Sequence, residues 1–149
     1  MIAIGCDHAG IDLKPAVIEV LEELGLEYKD FGTYDHQSVD YPVYGAKAAR
    51  AVASGECDRG IVLCGTGVGI GMAAGKVKGV RCVICSDTYS AKMSRLHNNA
   101  NMLALGSRVL GSELCKDIVR LWLTTGFESG RHGRRVALID RLDRGEALE

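Results

Sequence analysis

The chain has 149 residues, enough for one domain built around one sizeable core. Its formal net charge of −1 provides no global field for nucleic acid or acidic membranes, so any anion must be held by a local cluster. No apolar run approaches the ~20 residues of a membrane span, and residues 1–5 lack the basic region and cleavage site of a signal peptide, so a cytoplasmic location is expected.

In chain order, residues 1–6 read as a strand. A helix follows over 13–24, with Val17, Val20, Leu21 and Leu24 at helical spacing and Gly25 as its cap. Residues 28–31 form a second strand, and the Ala-rich stretch 44–52 a helix stopped at Ser54-Gly55. Strand 60–64 is continuously apolar, as expected when both faces are buried. A helix through Met72-Ala73-Ala74, a strand at 80–85, a helix at 88–97 and a strand at 102–105 come next. The helix at 113–125 is expected to bury Leu114, Ile118, Leu121 and Trp122. The last helix, 134–144, carries Val136, Ile139 and Leu142. This alternation predicts one α/β domain over 1–149: three layers, α/β/α, around a five-stranded parallel sheet, Rossmann-like. Ligands in such folds sit beyond the carboxyl ends of the strands.

The cysteines, at 6, 57, 64, 82, 85 and 115, fit reduced thiols better than a disulfide set. Cys82 and Cys85 spell C-x-x-C, but positions i and i+3 of a strand face opposite sides, so the two thiols cannot share a ligand. There is no H-E-x-x-H, Cys/His quartet or carboxylate cluster, and no metal or cofactor is expected.

Cys64 ends the third strand and opens Gly65-Thr66-Gly67-Val68-Gly69-Ile70-Gly71. Alternate glycines let the backbone aim several N–H groups at one point, backed by a helix N-terminus. Such a loop suits an anion, or an oxygen that becomes one, and it favours thiolate on the preceding cysteine, as nucleophile or base. Tight helix–strand packing would use the same glycines. Gly69 to Ala74 also fits a relaxed dinucleotide pattern, with Asp87 as its acid, although it begins inside the third crossover. Asp7 and His8 follow the first strand. His97 and Asn98 end a helix, where the imidazole either caps the helix or acts as an acid and base. Arg131, Arg134 and Arg135 surround His132, and Arg108 follows the fifth strand. Such guanidiniums suit phosphate unless nearby Glu128, Asp140 and Asp143 pair with them.

Together these segments resemble the type B ribose-5-phosphate isomerases, in the wider family that includes galactose-6-phosphate isomerase subunits. The stretches that carry the resemblance run from the first residue to the last helix: Gly5-Cys6-Asp7-His8-Ala9-Gly10, Asp40-Tyr41-Pro42, Cys64 to Ile70, Tyr89-Ser90-Ala91, Ser94 to Asn98, Ala104 to Val109 and Gly130-Arg131-His132. The resemblance implies Cys64 as the base moving a proton between C1 and C2, with the N–H groups of Gly65, Thr66, Gly67, Val68 and Gly69 holding the enediolate oxygens. It implies His97, helped by Thr66, for furanose opening. Asp7, His8, Tyr41 and Asn98 would bind the sugar, and Arg108, Arg131 and Arg135 the phosphate. It also implies a homodimer with shared sites. Some relatives use a glutamate where this chain has Ile70, which cannot accept a proton. Gly75 stands where many have Asn, a change expected to affect packing. Ribose 5-phosphate is the expected substrate. Allose or galactose 6-phosphate is the alternative, and a nucleotide-binding Rossmann-like module is the rival outside the family.

Overall fold

Strands form where the chain runs apolar and β-branched, and helices where the apolar period lengthens. The computed structural model describes residues 1–149. The elements are β1 (Ile2–Cys6), α1 (Lys14–Glu23), β2 (Tyr28–Asp30), α2 (Tyr41–Ala53), β3 (Arg59–Cys64) and α3 (Val68–Gly75). They continue with β4 (Cys82–Ile84), α4 (Thr88–Leu96), β5 (Met102–Gly106), α5 (Ser112–Thr124) and α6 (Arg131–Asp143). All strand pairs are parallel, in the order β2-β1-β3-β5-β4. The expected three-layer α/β/α architecture is the one found.

Side-chain alternation gives the sheet two different faces. Ile2, Ile4, Cys6, Ile61, Leu63, Leu103 and Leu105 form a bulky face under α1 and α5, with fully buried Trp122 in the same cluster. Ala3, Val62, Cys64, Met102 and Ala104 form a small-residue face under α2 and α3. Small side chains let those helices lie close: a Cβ on Gly5 would stand 2.6 Å from the Tyr44 carbonyl oxygen, and one on Gly71 2.9 Å from Ala104. That close approach brings the start of α3 onto the end of β3. Cys82 and Cys85 fall in opposite clusters, as strand geometry requires, and burial pushes their thiols up to about 12 and about 11.

Helix ends follow local chemistry. Gly25, with φ of 64°, closes α1 through a paired motif, Gly25 N–H to the Glu22 carbonyl and Leu26 N–H to that of Leu21. Helix α2 begins three residues before the expected start at Tyr44, because Pro42 falls in its first turn, where proline costs no hydrogen bond. Helix α6 likewise begins at Arg131 rather than 134, after Gly130 turns the chain at φ of 60°. The buried stripe of α5 is Cys115, Ile118, Val119, Trp122 and Leu123; Leu114 is exposed and Leu121 only half-buried, contrary to expectation. Of the three apolar residues expected along α6, only Val136 is buried, while Ile139 and Leu142 are exposed. A Cβ on Gly75 would meet nothing within 4 Å, and the residue lines an open cleft with Val80, Arg81 and Ile139.

Candidate active site

The register fixes where each candidate residue lies. Cys64 pairs with Gly106 at the carboxyl end of the sheet, and Gly60 pairs with Met102 at its amino end. Cys64 is buried, and its Sγ accepts the Gly67 N–H at 3.1 Å. Gly67 adopts φ of 80° with its α-carbon against the Leu105 backbone, so no larger residue fits this turn. Two N–H groups of the loop are therefore occupied, Gly67 by the thiol and Val68 by the Thr66 hydroxyl oxygen at 3.2 Å. Those of Gly65, Thr66, Gly69 and Ile70 have no acceptor within the chain. They stand at the N-terminus of α3, where the helix dipole adds to their pull on negative charge.

The remaining residues at this end close around the loop. The Asp7 carboxylate is buried, and one of its oxygens accepts from Ala9 and Gly10 at 2.9 and 2.8 Å, leaving its second oxygen available. Val39 N–H donates to His8 Nδ1 at 3.1 Å, so neutral His8 carries its proton on Nε2, a donor. Tyr41 opens α2 with its ring over Gly69, where a Cβ would stand 2.7 Å from the ring. Exposed Arg108 lies across Gly65, and its backbone N–H is bonded to the Gly65 carbonyl at 3.0 Å.

His97 and Asn98 are not at this end. They follow α4 and precede β5, and Asn98 lines a groove along the outer strand β4 with Val83, Ile84 and Cys85. Arg81, just before β4, donates from Nη2 to the Asn99 carbonyl at 3.1 Å, and Arg95 bonds the Asn99 side chain at the same distance. Burial, with Arg59 and Arg81 nearby, pulls Arg95 down to about 10. Arg131 and Arg135 begin α6 beside His97. Neither they, Arg134 nor Arg108 has a carboxylate partner: Glu128 faces His97, Asp140 pairs with Arg81, and Asp143 accepts from Gly79 N–H.

One feature had no local signal in the sequence. His97 and His132 stack face to face, 4.0 Å between centroids and 8° between planes, with Glu128 3.9 Å from His97 Nε2. These three residues offer ligand atoms within 4.8 Å of one another. Parallel rings hold their in-plane lone pairs in separate planes, so one ion cannot meet both without a ring turning.

The dinucleotide rival finds no support. Gly69 and Gly71 lie within α3 and pack against Tyr41 and Ile84. Asp87 caps α4 by accepting the Ser90 N–H at 2.6 Å, which holds its carboxyl below the usual range.

A thiol set against free N–H groups at the carboxyl edge of a parallel sheet gives an α/β fold a base or nucleophile beside an oxyanion site. The chain belongs to the ribose/galactose isomerase family, whose model matches residues 2–139. It is 51% identical to ribose-5-phosphate isomerase B of Escherichia coli over 142 residues, 95% of each chain. Ribose-5-phosphate isomerase B of Clostridium thermocellum superposes with a TM-score of 0.94 at 53% identity, covering 97% of both chains. The Mycoplasma genitalium enzyme, solved with bound ribulose 5-phosphate, gives 0.90 at 38% identity, covering 96% of this chain and 95% of its own.

Proposed function

We propose that the protein interconverts ribose 5-phosphate and ribulose 5-phosphate, in sites built from two copies of the chain. The observation that carries the reading is the thiol–glycine cradle, Cys64 beside the acceptor-free N–H groups of Gly65, Thr66, Gly69 and Ile70. In the open-chain aldose, Cys64 thiolate takes the C2 hydrogen as a proton. The C–H electron pair forms the C1–C2 double bond, and negative charge moves onto O1, where the N–H groups hold it. Return of the proton to C1, with transfer of the O2 proton to O1, gives the ketose. The route moves protons within one molecule and needs no redox cofactor.

Ring opening is the task of His97, and the phosphate is held by Arg108, Arg131, Arg135 and the Nε2–H of His8. A homodimer reconciles those roles with the separate settings of Cys64 and His97 within one chain. In an isologous pair, the His97 group of one chain completes the Cys64 group of the other. Val68, Met72 and Ile84, exposed apolar residues beside the cradle, supply surface for such a contact. Unpaired arginines on α6 fit an anion brought to the same place. Six free thiols suit a reducing, cytoplasmic setting, and no helix is long and apolar enough to cross a membrane.

The test is an isomerase assay in chelator with ribose 5-phosphate, allose 6-phosphate and galactose 6-phosphate. Turnover highest on the pentose supports the reading. Preference for a hexose overturns the substrate and keeps the chemistry, and no turnover on any of them overturns both.

A further inference from the structure

His132 has no task in the reading above, yet its surroundings are specific. It is the second residue of α6 and 7% exposed, and its Nε2 is buried without a hydrogen-bond partner. A protonated ring would leave a buried N–H unbonded, whereas the neutral ring leaves only a lone pair. The groups facing it are His97 from the end of α4, Glu128 from the preceding loop, and Arg131 and Arg135 from α6 itself. Burial, then His97 and the two arginines, push its ionisation down, and Glu128 alone opposes them. A neutral imidazole thus lies flat against His97.

We propose that His132 is a positioning residue for His97, fixing by face-to-face stacking the plane of the imidazole that opens the furanose. The proposal rests on the ring-opening role of His97. Opening requires that imidazole to take the proton of the C1 hydroxyl, whose oxygen becomes the carbonyl, and deliver one to the ring oxygen as its bond to C1 breaks. Both transfers use in-plane nitrogens. His97 caps α4 and is one-third exposed, so nothing in its backbone setting alone fixes its ring. A second ring parallel to it holds the plane without engaging its nitrogens, of which Nε2 faces Glu128 at 3.9 Å. Because His132 stays uncharged, it neither repels a protonated His97 nor competes for its proton.

The test compares His132→Ala and His132→Phe with the wild type in two measurements. One is conversion of ribose 5-phosphate, which passes through the furanose. The other is incorporation of solvent deuterium at C1 of ribulose 5-phosphate, an open-chain ketose whose exchange needs the base and cradle but no ring opening. In His132→Ala, conversion is expected to fall about tenfold or more while exchange stays within about threefold; His132→Phe, which keeps a flat ring, should recover most of the conversion. Melting temperature and dimer mass establish that each variant folds. The proposal is overturned if His132→Ala converts ribose 5-phosphate within twofold of wild type, or if conversion and exchange fall together. It is also overturned if His132→Phe shifts the acid limb of the pH profile by a full unit, since His132 would then be the titrating acid. Absence of wild-type conversion would instead refute the isomerase reading itself.

Discussion

Cys64→Ala and His97→Asn, each inactive alone, are expected to restore activity to one another when mixed. Proton transfer needs donor and acceptor within about 3 Å of the reacting atoms, whereas within one chain Cys64 bonds Gly67 at the end of β3 and His97 stacks on His132 beyond α4. A site that uses both must take them from different chains. Each single variant should lose about a hundredfold to ten-thousandfold of turnover, the usual worth of a positioned base or acid. In a mixed dimer, the Cys64 of one chain meets the His97 of the other, giving one intact site and one doubly damaged site. Random reassembly of equal amounts yields about half mixed dimers, so about one quarter of wild-type activity should return. The assay is unfolding and refolding of the mixture, with mass spectrometry to count mixed dimers and ribose 5-phosphate turnover to count sites. Mixed dimers without recovery would refute the shared site.

Gly106→Ala places a Cβ 2.6 Å from the Thr66 backbone, forcing the cradle off the sheet. Turnover should fall by about a hundredfold or more while the melting temperature drops by only a few degrees, read by kinetics and calorimetry. Arg135→Gln removes a charged donor and should raise KM about tenfold or more with a smaller change in kcat, since phosphate anchoring acts on substrate and transition state alike. Alkali should destabilise the fold through its buried thiols. Burial raises Cys115 to about 12 in the folded chain, so unfolded thiols ionise first and stability present below pH 9 is lost as the pH climbs toward 12. Cys115 alone contributes a slope of about 1.4 kcal/mol per pH unit over that interval. Denaturant titrations should show the slope and its reduction in Cys115→Val; an unchanged slope refutes the assignment.

The sheet was legible because β1, β3 and β5 are short apolar runs, and a parallel arrangement follows from the helices between them. Boundaries slipped where one residue has two meanings. Pro42 reads as a breaker, yet it sits in the first turn of α2. On α5 the sets containing Leu114 and Cys115 share a helical period, and only the packing of α1 and α4 against it decides which side is buried. In the site, Cys64 and its glycines were readable as one unit because they are consecutive. The hydrogen bonds that occupy Gly67 and Val68 depend on side-chain rotation that spacing does not encode. His97 caps one helix and His132 opens another, and their stack exists only because the loop after α5 returns to the end of α4, where Glu128 N–H bonds the Leu96 carbonyl at 2.9 Å.

If Cys64 is the base and His97 opens the ring from the partner chain, as proposed, that division of labour also bears on inheritance. After gene duplication, one copy can lose its cysteine and the other its histidine while their mixed dimer keeps one working site per pair. Neither loss is then reversible without restoring the other partner's dependence. A chain divided in this way needs no change of fold to become one half of an obligate heteromeric enzyme.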